Sequence, residues 1–178
     1  MKSWQVAAAI VSNMAFGIAV GYAIPKAPVV VTQTNTIERV VEVESLEAYD
    51  AYSSEVLCLA ANIYHEARGE GLEGQIAVAN TTVNRTKVKR FPESVCGVVH
   101  QKNQFSWVAD KPYIDLNDPV EMKSYQKALS IALDVMNGKV EDNTKGADHY
   151  YNPHKVSPDW AEKITEIAMI GNHRFMKE

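Results

Sequence analysis

The stretch Asn62–Arg85, "NIYHEARGEGLEGQIAVANTTVNR", decides the fold. Its first half sets His65, Glu66, Glu70 and Glu73 among Gly69, Gly71 and Gly74, and its second half is apolar and amide-rich. Glycines at this density end one helix and start another. Upstream, Val56, Leu59/Ala60, Ile63 and Ala67 recur at the spacing of a buried helical stripe, with Ser54 as the expected N-cap. Downstream, a second helix is expected over Glu73–Val88, with Ile76, Ala79/Asn80 and Val83 on one face. The stretch therefore reads as helix, glycine turn, helix.

Beyond Arg85, "FPESVCGVVHQ" reads as a short third helix and "KNQFSWVADKPYIDLN" as a loop. Asp118-Pro119-Val120-Glu121 combines an N-cap, a proline at the first helical position and a capping glutamate, opening a helix that runs to Asn137 and stops at Gly138. "DHYYN" and "EIAMIGNHRF" read as short strands around the turn-rich "PHKVSPDW". The fold class is mainly helical α+β over residues 54–178.

Ahead of this domain, Trp4–Ile24 carries no charge. At helical rise this segment spans about 31 Å, the thickness of a bilayer core. Lys2 precedes it, so a membrane anchor over 1–24 with the domain exported is the expectation. A cleaved signal is the alternative, since Gly21-Tyr22-Ala23 offers small residues for cleavage. Gly17 and Gly21 form a GxxxG pair, a candidate for weak self-association. Residues 25–53, with two prolines and alternating charge, read as a linker.

A net charge of −4 without a basic stripe argues against nucleic acid as partner. The five histidines are scattered, without HxxxH or CxxC spacing, and no metal or other cofactor is expected. With two cysteines, Cys58 and Cys96, the chain is no disulfide scaffold. A Cys58–Cys96 bond is expected if the domain is exported, and two buried thiols are the alternative.

Glu66 follows Ile63 by three residues and Leu59 by seven, which sets its carboxylate beside the apolar stripe. It also lies at the C-terminal end of its helix, where the dipole disfavours negative charge. Both effects raise a carboxylate's pKa and suit a general acid. A helix-end ion pair, for instance with Arg68, explains the position equally well. Glu70 and Glu73 fit the turn and the next helix start, as capping groups or as a second carboxylate.

The blocks "NIYHEARGEGLEGQIAVANTTVNR", "FPESVCGVVHQKNQFSW", "DHYYNP" and "IGNHRF", in this order, resemble the SleB-type family of spore cortex-lytic enzymes and related cell wall hydrolases. The resemblance runs from Ser54 to Phe175. It implies a lysozyme- or lytic-transglycosylase-like domain that cuts peptidoglycan glycan strands, with Glu66 as catalytic acid. A lytic transglycosylase needs that one carboxylate. Hydrolysis would need a second, from Glu70, Glu73, Asp110 or Asp115. Tyr64, Gln75, Gln104, Phe105, Ser106, Tyr150, Tyr151 and Asn152 fall in the matching blocks and are the expected substrate contacts. Trp107 lines the groove or fills the core, and Asn80 and Asn84 are expected to hold loops around the site.

Spore enzymes of this family often carry a separate peptidoglycan-binding domain, and an anchor and linker stand in its place here. That favours a wall hydrolase acting from the inner membrane toward the periplasm. The Ala/Gly-rich anchor resembles the signal-arrest-release segments of phage endolysins. A membrane-tethered glycan-binding protein without activity is the reading from another class.

Overall fold

The computed structural model describes residues 52–110 and 113–178. The expected anchor, its Gly17/Gly21 pair and all but the end of the linker lie outside them. Among the described residues no helix is long and apolar enough to cross a membrane.

Helix α1 (Ser54–Ala67) is capped one residue earlier than expected, by Ser53, whose hydroxyl accepts from the Val56 N–H. Its stripe of Val56, Leu59, Ala60, Ile63 and Ala67 is buried as the spacing requires. α1 packs on helix α5 (Pro119–Met136), which presents Tyr125, Ala128, Leu129, Ala132 and Val135 at the same helical period. Asp118 caps α5 by accepting from the N–H groups of Val120 and Glu121. Glu121 does not return to the cap's own N–H but accepts from Asp115 (2.7 Å), tying down the preceding turn. α5 ends at Met136, and Gly138 follows in the left-handed region (φ 67°).

Helix α2 (Leu72–Arg85) starts and ends slightly before the expected bounds, and Thr86–Val88 continue in tighter i→i+3 bonds. It is buried nearly all round rather than on one face. It carries polar residues there because they are internally satisfied: Thr81 and Thr82 donate to the carbonyls of Ala77 and Val78. Asn80 donates to the Glu141 carbonyl, and Asn84 to Asp142 and to the Ala147 carbonyl. Both asparagines hold the 141–148 loop, as expected.

Helix α3 (Val95–Val99), capped by Ser94, is joined to α1 by the Cys58–Cys96 disulfide, Cα to Cα 5.2 Å. The segment read as loop contains a fourth helix, α4 (Ser106–Asp110). The strands β1 (His149–Tyr151), β2 (Thr165–Ile170) and β3 (His173–Lys177) form an antiparallel sheet in the order β1-β3-β2. Phe175 on β3, opposite Tyr150, packs with Ala67 of α1 and with Ala77 and Val78 of α2. This second, smaller core lays the sheet against the α1–α2 corner.

Candidate active site

That corner places Glu66 in the last turn of α1, half-buried, with the Tyr150 hydroxyl donating to Oε2 at 3.4 Å. Burial raises the Glu66 carboxyl above the ordinary glutamate range, and the Tyr150 hydrogen bond and the charges of Arg85 and Lys155 pull only partly against it. Tyr150 is itself held well above the usual tyrosine range, by burial first and then by the negative charge of Glu66. It therefore stays a hydrogen-bond donor. Arg68 forms no helix-end ion pair with Glu66 and lies over the Tyr64 ring instead, 4.7 Å from its centroid.

Beneath the pair sits Arg85, only 3% exposed, its Nε donating to the Asp148 carbonyl at 2.7 Å. Its guanidinium lies 5.4 Å from the ring centroids of Phe91 and Phe105 and 5.7 Å from that of Tyr150. A buried cation among ring faces keeps part of its stabilisation without water. Asn62, one turn before Glu66 and fully buried, accepts from the Trp107 indole N–H (3.2 Å) and donates to Thr82 (3.0 Å). Trp107 stacks on His65, ring centroids 4.4 Å apart, which fixes α4 to α1. It serves this wall, half-buried, rather than the centre of the core.

Sequence reasoning passed over Asn62, Arg85 and Lys155. The first two carried a signal: Asn62 lies on the stripe with Leu59 and Glu66, and Arg85 follows buried Val78 by seven residues.

Of the other acids, Glu70, Glu73 and Asp115 accept hydrogen bonds within the scaffold. Glu70 accepts from the Asn172 backbone N–H (3.1 Å) and side-chain amide (2.9 Å), with His173 Nδ1 at 3.8 Å. Burial alone would raise the Glu70 pKa, but these donors and the nearby positive charges outweigh it and leave it below the ordinary range. Glu73 is exposed and accepts from Asn143. Asp110 ends α4 at the surface, and Asp115, also exposed, accepts from the Asn117 N–H. Glu70 thus clamps the β2–β3 turn to the α1–α2 turn. Gly171 in that turn has φ 58°, and a Cβ there would run into the Glu70 carboxylate.

Of the expected substrate contacts, Tyr150 is the one with a hydrogen bond to Glu66. Tyr64 and Gln75 (each 3% exposed) and Phe105 (6%) are packed inside, Gln75 donating to the Glu70 carbonyl. In this arrangement their side chains serve the interior. Ser106 is exposed at the start of α4, and Gln104 is half-buried just before it. Tyr151 points to the opposite face of β1 from Tyr150 and meets Trp160 edge-on. Asn152 accepts from the N–H groups of His154, Lys155 and Val156, building the turn that presents Lys155. Among the described residues no three His, Cys, Asp or Glu side chains converge as metal ligands.

A family model described as Cell Wall Hydrolase matches residues 69–176, beginning three residues after Glu66. The chain is 36% identical over 135 residues to the spore cortex-lytic enzyme of Oceanobacillus iheyensis, covering 75% of this chain and 45% of that protein. To the spore cortex-lytic enzyme of Bacillus subtilis it is 34% identical over 123 residues, covering 69% and 37%. The chain thus spans less than half the length of these curated relatives. Among solved structures, it is similar to the catalytic domain of the germination-specific lytic transglycosylase SleB from Bacillus anthracis. There the TM-score is 0.60 and the identity 32%, over 72% of this chain and 98% of that one. The catalytic domain of SleB from Bacillus cereus is similar at TM-score 0.56 and 34% identity, over 71% and 92%.

Proposed function

The chain belongs to the cell wall hydrolase family, and from that premise we propose that it cuts peptidoglycan glycan strands as a lytic transglycosylase with Glu66 as its acid and base. The observation that carries this reading is a half-buried carboxyl, raised in pKa by its surroundings and served by one phenol donor, while Glu70 and Glu73 are engaged elsewhere. In the forward step Glu66 donates its proton to the oxygen between N-acetylmuramic acid and N-acetylglucosamine, and the C1–O bond breaks. The Glu66 carboxylate then takes the proton of the muramoyl C6 hydroxyl, whose oxygen closes onto C1 as a 1,6-anhydro sugar. Glu66 ends protonated, ready for the next bond. Tyr150 holds the carboxylate formed between the two proton transfers.

Gln104, Ser106 and Lys155 retain exposed surface and suit sugar hydroxyl, acetamido or carboxylate groups. The uncharged segment Trp4–Ile24 supports the further reading that the domain works from the membrane on the periplasmic wall, as a releasable endolysin would. Fractionation during lysis tests that reading, and permanent membrane residence would end the release idea.

The function is tested by digesting purified peptidoglycan with the wild type and Glu66→Gln and weighing the products. The expected result is anhydro-muropeptides from the wild type and none from the variant. Products heavier by one water would make the enzyme a hydrolytic muramidase. Equal turnover by Glu66→Gln would move the acid elsewhere, and binding without any products from either protein would leave a glycan-binding module.

A further inference from the structure

Four side chains next to Glu66, those of Thr82, Asn62, Trp107 and Tyr150, form a chain whose hydrogen-bond direction follows from its fixed ends. At one end the Thr82 hydroxyl donates to the Val78 carbonyl, so the lone pairs of its oxygen face Asn62. At the other, the Trp107 indole N–H can only donate, and it does so to Asn62 Oδ1. Asn62 is fully buried, and both ends impose the same amide orientation: Oδ1 toward Trp107, Nδ2 toward Thr82. The Asn62 side chain also faces the Tyr150 hydroxyl as a donor. With its oxygen accepting from Asn62, the Tyr150 hydroxyl has its own proton free for Glu66 Oε2.

We infer that Asn62 and Trp107 are positioning residues that fix the Tyr150 hydroxyl as a donor to Glu66, and so set when Glu66 gives up and regains its proton. The inference rests on Glu66 being the acid of the proposed reaction. Asn62, fully buried, acts through Tyr150, and Trp107 acts through Asn62. A hydrogen bond donated to a carboxylate favours its charged form, and a chain of polarised donors strengthens the last bond. The relay thus offsets the burial that keeps Glu66 protonated. The charged groups that also face Glu66 are Arg85 on α2 and Lys155 after β1, and the variants below leave both in place.

The test is a carboxyl-carbon NMR titration of Glu66, its signal assigned by loss in Glu66→Gln, which needs no turnover. Tyr150→Phe should raise the midpoint by removing the donor. Asn62→Leu should raise it in the same direction, by roughly half a pH unit. Trp107→Phe keeps the stack on His65 but leaves Asn62 Oδ1 without its donor. The amide then turns to the Tyr150 proton, and the Glu66 midpoint rises again. Thr82→Ser trims a buried methyl but keeps the acceptor, so it should lower stability and leave the midpoint in place.

A midpoint unchanged in folded Asn62→Leu and Trp107→Phe, with Tyr150→Phe still shifted, overturns the relay. Trp107→Phe decides alone if Asn62→Leu does not fold. The muropeptide assay stands apart: shifted titrations with an active Glu66→Gln would keep the relay and discard Glu66 as the acid.

Discussion

Replacing Cys58 and Cys96 together by serine should lower the unfolding free energy by about 4 kcal/mol. The bond links positions 38 apart in sequence. In the chain-entropy account, closing a loop of that size removes about 13 cal/mol/K from the unfolded chain, which is about 4 kcal/mol at room temperature. Domains of this size are stable by only about 5–15 kcal/mol, so the bond is a large part of the total. The assay is urea unfolding followed by tryptophan fluorescence on the oxidised protein, the reduced protein and the double-serine variant. The reduced and double-serine curves should coincide, at a lower midpoint than the oxidised one. Cys58 lies eight residues before Glu66, about 12 Å along α1, so the folded fraction of the variant should keep its turnover. Three coincident unfolding curves would refute the reasoning. Loss of turnover while fully folded would mean that the bond shapes the site rather than restricting the unfolded chain.

Glu66 has a raised pKa, so the folded state is favoured with it protonated, and that contribution is lost as pH rises through the folded value. Glu66→Gln should therefore melt above the wild type at neutral pH and with it in acid, each unit of raised pKa corresponding to about 1.4 kcal/mol; equal melting at every pH would contradict the burial argument. On the proposed mechanism the same protonation sets the upper limb of the pH–rate profile, which should fall as Glu66 ionises. Glu70 has the opposite sign: its lowered pKa gives stability that is present above the unfolded value and lost as pH falls through the folded one. Glu70→Gln should cost about 1–3 kcal/mol at neutral pH and little in strong acid, as read by denaturation at the two pH values. Gly171→Ala should cost about 1–2 kcal/mol through its left-handed backbone alone, with a further loss from contact with Glu70; an unchanged melting temperature would show that the turn relaxes freely.

How far the sequence could be read depended on how much of each signal was local. The α1 stripe and the Asp118-Pro119 start of α5 were legible because one buried face and one cap each leave a short, regular pattern. α4 was not, since five residues make too little helix for a period to show. α2 blurred for another reason: it is enclosed on nearly all sides, so no single face stands out. Glu66 was marked by its place on the stripe, but its partner is 84 residues away and nothing local pairs them. Asn62 and Arg85 sat at stripe positions too, and a polar residue there looks like an interruption until its buried partners are seen.

The strand order has a consequence in time. Tyr150 rides on β1, and β1 pairs only with β3, which follows β2 in the chain. A polypeptide emerging from the ribosome as far as Ile170 already has the helix that carries Glu66, but not the strand that pairs with β1. β1 gains its ladder partner only after residues 173–177 have been made. The sheet that holds Tyr150 beside Glu66 is therefore completed only with β3, the last of the three strands to be made.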